Sequence, residues 1–136
     1  MSVFFDTNVL VYCTDTSNPA KQTRSRQLVA QACLDGDGWV STPVLIELFN
    51  VLTRKQKIPA QAARDVVLSY CAWQVVDSDL ALVNAAIDMT LQRQLSIWDA
   101  MMVQAAVRCG ADTLYTEDLQ NGQRFDKLTV VNPFLI

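Results

Sequence analysis

Four acidic residues stand where predicted strands give way to helices or loops. Asp6 interrupts two apolar stretches at the end of the first predicted strand, and Asp118 follows a later strand. Glu47 borders the apolar stripe of a predicted helix, and Asp99 lies in the first turn of another helix that Ser96 opens. Singly, each has a structural explanation as a cap, a turn residue or a solvated helix residue. Only their convergence would make a site.

Carboxylates that lie close together repel one another unless a cation binds between them or protons neutralise them. Two of them at about 4 Å repel by about 1–4 kcal/mol, depending on screening. The chain has no His, which excludes His-dependent triads, His-ligated metals and His acid–base ribonuclease chemistry. Its four cysteines form no C-x-x-C pair, so we expect reduced, buried thiols and no zinc site. Oxygen ligands alone favour Mg²⁺ or Mn²⁺, which activate bound water and stabilise phosphoryl charge.

The elements that would position these acids alternate along the chain. Strands are predicted at 2–6, 39–41, 74–76, 113–116 and 128–131. Helices are predicted at 19–35, 42–55, 59–72, 78–94 and 96–108, and a short helix or turn at 7–14. Short apolar strands alternating with helices predict a mainly parallel sheet covered on both faces. Right-handed crossovers place the carboxyl ends of such strands on one rim, where the four acids would meet.

Composition bounds the class of protein. An apolar fraction of 51% and a charged fraction of 18% over 136 residues predict a single globular domain spanning 1–136. No apolar run approaches the roughly 18 residues of a membrane span, and the N-terminus does not resemble a signal peptide. We therefore expect a cytoplasmic protein that does not contact a membrane.

Basic residues are few, and the net charge of −3 argues weakly against general nucleic-acid binding. The densest basic run contains Arg54, Lys55 and Lys57, and a second group, Lys21, Arg24 and Arg26, opens the predicted helix at 19–35. Each group is either a solvated face or a local phosphate-binding patch. If the first run contacts phosphates, neutralising it should flatten the salt dependence of RNA binding.

Four segments together resemble the PIN-domain nucleases, especially the VapC-type toxins of bacterial toxin–antitoxin pairs. They are FFDTNVLVY, STPVLIELFNVLTR, SIWDAMMVQAA and LYTEDLQNGQ, in the family's order and spread over nearly the whole chain. The resemblance implies a three-layer α/β/α sandwich and Mg²⁺- or Mn²⁺-dependent cleavage of single-stranded or loop RNA. It also implies a homodimer and a cognate antitoxin, for which apolar side chains such as Val9, Leu10 and Tyr12 are either the docking surface or part of the core.

The resemblance also assigns roles to residues. Asp6, Glu47, Asp99 and Asp118 match the family's acidic quartet, and Asn8 and Thr116 match its accessory polar positions. Asp6, Asp99 and Asp118 are the expected metal ligands, and Glu47 is expected to act on the attacking water or to help hold a second metal. Glu117 is ambiguous because it adjoins Asp118. The T-x-D spacing favours Asp118 as the inward acid, with Glu117 as a candidate outer ligand.

Other classes of function fit less well. An aspartyl-nucleophile phosphatase carries the motif D-x-D-x-[TV] after its first strand. Here Asn8 stands where the second acid of that motif would be. A receiver domain needs a phosphoacceptor after the third strand and a later Lys-Pro, and Asp77 with Lys127 does not match that pattern. An inactive PIN-like binding module remains as the alternative to an endoribonuclease, although the intact acidic quartet argues against it.

Overall fold

The computed structural model describes residues 1–135, which form six strands and six helices around one sheet. The strands are β1 (Val3–Phe5), β2 (Gly38–Ser41), β3 (Gln74–Val76), β4 (Thr113–Tyr115), β5 (Arg124–Phe125) and β6 (Leu128–Val131). The helices are α1 (Thr7–Tyr12), α2 (Pro19–Asp35), α3 (Thr42–Arg54), α4 (Ala60–Cys71), α5 (Leu80–Gln92) and α6 (Ile97–Arg108). The predicted α/β/α architecture with a mainly parallel central sheet is confirmed.

The first strand lies in the middle of the sheet. The strand order is β3-β2-β1-β4-β6-β5, and every pairing is parallel except that of β5 with β6. Phe4 and Phe5 of β1 are completely buried, as is Leu114 of the neighbouring β4. A strand that is buried on both faces has apolar residues at consecutive positions. This explains why β1 shows no alternation of polar and apolar residues.

The pairing of β1 with β4 determines which residues meet at the carboxyl rim. Phe5 stands opposite Tyr115, so the next residues along, Asp6 and Thr116, emerge side by side. The Asp6 amide donates to the Tyr115 carbonyl at 3.0 Å, and the Thr116 amide donates to the Val131 carbonyl at 3.2 Å. The backbone on both sides of the rim is therefore held by the sheet itself.

The helices form two packed groups. Helix α1 contacts α2 and α3, and α3 contacts α4, whereas α5 packs against α6. Val9 and Leu10 of α1 are buried in the core, so of the two explanations given above for these residues, the core explanation holds. Within residues 1–135, no helix has the length and apolar character needed to cross a bilayer.

Two features differ from the sequence-based expectation. The short β5 was not predicted; it pairs with β6 through a tight turn in which Asp126 adopts a φ of 55°. Two residues are too few to show a hydrophobic period. The expected burial of the cysteines is wrong for Cys33 and Cys71, which are exposed on α2 and α4, while Cys13 and Cys109 are half-buried.

Candidate active site

Asp6 is both a helix cap and the buried centre of a polar cluster. Its Oδ1 accepts a hydrogen bond from the Thr7 amide at 2.6 Å, which caps α1. Its Oδ2 accepts from the Thr116 hydroxyl at 2.7 Å and from the Asn8 side-chain amide at 3.1 Å. Only 8% of Asp6 is exposed, so this carboxylate is held almost entirely by protein donors.

Two other acids are tied to the residues that hold Asp6. Thr116, which donates to Asp6, accepts a hydrogen bond from the Asp118 amide at 3.1 Å, and the hydroxyl of Thr7, whose amide also donates to Asp6, lies 3.3 Å from Glu47 Oε2. Burial raises the pKa of Asp6 from 3.8 to about 7, and the hydrogen bonds from Thr116 and Thr7 oppose that rise. The negative charges of Asp118 and Glu47 push the pKa up further.

Asp99 joins the same region from the start of α6. The Ser96 hydroxyl accepts a hydrogen bond from the Asp99 amide at 3.1 Å and so caps the helix, as the sequence predicted. Burial raises the pKa of the half-buried Asp99 carboxyl, a hydrogen bond with Ser96 opposes the rise, and the charge of Asp118 adds to it. The charge of Asp118 therefore raises the pKa of both Asp6 and Asp99.

Glu47 reaches the cluster from α3. Val44 and Leu48 are buried against the core, which turns the exposed Glu47 toward α1. The Thr7 hydroxyl lies 3.3 Å from Glu47 Oε2 and 3.5 Å from the Val44 carbonyl. Sequence reasoning did not single out Thr7. The sequence feature that could have indicated Thr7 is a hydroxyl residue directly after Asp6, in the first turn of α1.

The two adjacent acids Glu117 and Asp118 have different surroundings. The Asp118 amide donates to the Thr116 hydroxyl at 3.1 Å, which ties this exposed residue to the cluster, and its charge raises the pKa of Asp6 and Asp99. Glu117 instead accepts hydrogen bonds from the Tyr12 hydroxyl at 2.6 Å and from the Lys21 ammonium at 2.8 Å. The Glu117 carboxylate is therefore bound outside the cluster, while the backbone of Asp118 joins it through Thr116.

The basic candidates divide into free and engaged side chains. Arg54, Lys55 and Lys57 are exposed at the end of α3, and none of them forms an ion pair with any residue in 1–135. In the other group, Lys21 pairs with Glu117, while Arg24 and Arg26 donate to the carbonyls of Pro133 and Cys13. Each side chain of the second group therefore makes an internal contact, although Arg24 and Arg26 stay exposed.

The donor set fits a hard divalent cation. All charged groups of the cluster are carboxylates, and the buried Oδ1 of Asn8, beside Asp6, has no hydrogen-bond partner among the described residues. Among residues 1–135, no three acidic or Cys side chains lie close enough to one another to hold an ion without other ligands. Mg²⁺ does not require that, because it usually keeps several waters and takes one or two carboxylates.

Comparison with known proteins shows which family the sequence matches. The PIN domain family model matches residues 3–128. No curated protein matches the sequence at a significant level. Among solved structures, the chain is similar to VapC20 of Mycobacterium tuberculosis, described as a toxin that cleaves the sarcin–ricin loop: 21% identity, a TM-score of 0.72, and coverage of 86% of this chain and 90% of the other.

Two further structures share the fold. A toxin–antitoxin complex from Klebsiella pneumoniae matches at 17% identity with a TM-score of 0.71, covering 99% of this chain and 100% of the other. VapBC2 from Rickettsia felis, bound to a DNA fragment from its promoter, matches at 18% identity with a TM-score of 0.64, covering 96% and 97%. At these identities the structures show a shared fold, while the family model spans nearly the whole sequence. This chain belongs to the PIN domain family.

Proposed function

We propose that this protein is a divalent-metal-dependent endoribonuclease that hydrolyses phosphodiester bonds in single-stranded or loop RNA. The observation that carries the proposal is the environment of Asp6. It is a buried carboxylate that accepts hydrogen bonds from the side chains of Asn8 and Thr116 and has no basic partner among residues 1–135. Burial and the charges of Asp118 and Glu47 raise its pKa to about 7, which suits the site to bind a cation.

Each residue of the cluster has a role in the proposal. Asp6, Asp99 and Asp118 are the ligands of Mg²⁺ or Mn²⁺, which when bound supplies water activation and stabilises phosphoryl charge. Thr116 and Asn8 orient the Asp6 carboxylate through their hydrogen bonds of 2.7 and 3.1 Å. These contacts fix the ligand before the ion arrives, which lowers the cost of binding.

Glu47 is the candidate for handling the attacking water. It is exposed, so solvent reaches it, and its Oε2 lies 3.3 Å from the Thr7 hydroxyl, which limits its orientation. In the proposed reaction the water oxygen bonds to phosphorus and Glu47 takes the water proton. The bond from phosphorus to the 3′ oxygen breaks, and the 3′ oxygen takes a proton from solvent. The products would carry 5′-phosphate and 3′-hydroxyl ends.

The test is cleavage of a labelled single-stranded RNA during a Mg²⁺ and Mn²⁺ titration. Wild type should cleave only with metal, and Asp6→Asn should be inactive. Asp88→Asn, which neutralises an exposed acid on α5, is the matched control and should cleave like wild type. Cyclic-phosphate ends, or metal-dependent cleavage that survives Asp6→Asn, would contradict the proposal. RNA binding without turnover by wild type would favour the binding-module alternative.

We further propose that this nuclease is the toxin of a toxin–antitoxin pair, that it acts in the cytoplasm, and that it forms a homodimer. The fold shared with toxins and with two toxin–antitoxin complexes supports a protein partner. An open groove of about 290 Å³ also supports it, because apolar side chains line it together with Arg64: the exposed Ile46, Phe49 and Leu68, the half-buried Val67 and the buried Leu45. Light scattering of the purified chain tests the dimer. Growth arrest on expression, reversed by the product of an adjacent gene, tests the pairing.

A further inference from the structure

The segment LYTEDLQNGQ contains two adjacent acids, Glu117 and Asp118. Glu117 is the one that lies outside the acidic cluster. It stands between two residues that do belong to the cluster, Thr116 and Asp118. A free carboxylate at this position would add negative charge beside Asp118. It could also exchange places with Asp118, because neighbouring residues in a loop need only a local backbone rotation to do so. Something must therefore select which acid faces inward.

Two side chains from other elements bind the Glu117 carboxylate. Lys21 of α2 donates to Glu117 Oε2 at 2.8 Å, and Tyr12 at the end of α1 donates to Glu117 Oε1 at 2.6 Å. Both oxygens of the carboxylate are thus occupied. The Lys21 ammonium also donates to the Tyr12 oxygen at 3.3 Å, so the three groups close a ring of hydrogen bonds with consistent donors and acceptors.

Lys21 is held in place by more than its ion pair. Its ammonium lies 4.8 Å from the centre of the Tyr12 ring and 5.1 Å from the centre of the Phe134 ring. Those two rings pack edge to face with their centres 5.1 Å apart. The Lys21 side chain is only 32% exposed and that of Glu117 only 22%, so water competes weakly for this pair compared with an open surface.

We propose that Lys21 and Tyr12 are positioning residues: by binding Glu117 they hold it away from the acidic cluster and so fix Asp118 toward Asp6 and Asp99. The proposal rests on the nuclease function above only for the consequences in metal binding. Lys21 does not touch the reacting atoms in this scheme. It acts through the loop, where the Asp118 amide is bonded to the Thr116 hydroxyl at 3.1 Å.

The first test needs no metal and no RNA. Hydrogen exchange of the Asp118 amide is measured by NMR in EDTA for wild type, Lys21→Met and Lys21→Arg. Lys21→Met should speed exchange at Asp118 by about tenfold or more, because the freed Glu117 loosens the loop. Lys21→Arg keeps a cation that can bind both carboxylate oxygens and should restore slow exchange. Unchanged exchange in Lys21→Met would overturn the proposal.

The second test measures Mn²⁺ binding by calorimetry without RNA. Lys21→Met should weaken binding by about 10- to 100-fold, as losses of outer-sphere support usually do. Lys127→Met is the matched control, since it removes the same charge from an exposed side chain that pairs with Asp112 near the start of β4. It should bind Mn²⁺ like wild type.

The outcomes separate the two proposals. If wild type binds no divalent ion while Lys21→Met still speeds exchange at Asp118, the positioning role holds and the proposed function fails. If Lys21→Met leaves both exchange and Mn²⁺ affinity intact but weakens RNA binding and flattens its salt dependence, Lys21 is a phosphate contact and the positioning role is wrong.

Discussion

The Thr116 hydroxyl donates a 2.7 Å hydrogen bond to the Asp6 carboxylate, and the two residues are 110 positions apart in the chain. The bond exists because β1 and β4 are parallel neighbours whose register sets Phe5 opposite Tyr115. Both side chains are buried, so this contact is made inside the protein and does not depend on solvent. The centre of the site is therefore a property of the sheet.

Replacing Thr116 with Val should weaken metal binding while keeping the shape of the side chain. The variant removes a hydrogen bond that holds the Asp6 carboxylate and lowers its pKa, so the pKa of Asp6 should rise further above its ordinary value. We expect Mn²⁺ affinity to fall by about 10- to 100-fold in calorimetry. Thr116→Ser keeps the hydroxyl and should bind nearly as well as wild type. Equal affinities for Val and Ser would show that the hydrogen bond does not matter.

Stability without metal should fall as pH rises, through Asp6. Its pKa is about 7 in the folded protein and 3.8 in the reference state, so the folded protein binds this proton more tightly. The resulting stabilisation is complete below pH 3.8 and is lost as pH rises through about 7; its size is on the order of a few kcal/mol.

Urea denaturation in EDTA between about pH 5 and pH 8 measures this effect. The Asp6→Asn variant lacks the titrating carboxyl, so its free energy of unfolding should vary less with pH and should exceed that of wild type at the alkaline end. Parallel curves for the two proteins would mean that Asp6 ionises in the folded state as easily as in the unfolded state. Adding Mg²⁺ should stabilise wild type most at alkaline pH.

Neutralising the free basic run should change the salt dependence of RNA binding. The triple variant Arg54→Gln, Lys55→Gln, Lys57→Gln removes three exposed cations that form no ion pair among residues 1–135. For single strands, each lost phosphate contact reduces the slope of log K against log salt by about 0.7. Fluorescence anisotropy at several salt concentrations gives the slope. Mn²⁺ affinity should not change, and an unchanged slope would assign the run to a solvated face.

Gly38→Ala should destabilise the fold without affecting the site. A Cβ at this position in β2 would lie 2.7 and 2.8 Å from atoms of the Trp73 ring, and that ring packs against Phe5 and Tyr70 with centres 5.3 and 5.0 Å away. Overpacking of this kind costs about 1–3 kcal/mol. Urea denaturation should show the loss, while Mn²⁺ affinity of the folded variant should stay at the wild-type value, because Gly38 begins β2 at the end opposite the rim.

The sequence predicted the site's acids better than their surroundings. Asp6, Asp99 and Asp118 follow strands or open helices, and those places are readable from apolar runs and caps. Glu47 was readable as an acid bordering an apolar stripe, with Val44 and Leu48 now found buried beside it. Local patterns can place these acids at the rim because a parallel sheet brings the carboxyl ends of its strands together.

The orientation of the side chains could not be predicted from local sequence patterns. Nothing local distinguishes Glu117 from Asp118, since their opposite orientations depend on Tyr12 and Lys21, about a hundred positions away. Lys21 accordingly looked like part of a basic face, and its ion pair was not foreseen. Such contacts are decided by tertiary packing, which single-sequence patterns do not contain.

The central position of β1 has a consequence for how the protein is made. Both neighbours of β1 follow it along the chain, and β4 ends only at Tyr115. An emerging chain therefore carries Asp6 through more than a hundred residues of synthesis before Thr116 and Asp118 exist to complete the rim. We expect products that terminate before Thr116 to be harmless to the RNA that surrounds them, so that the catalytic hazard begins only after β4 has been made.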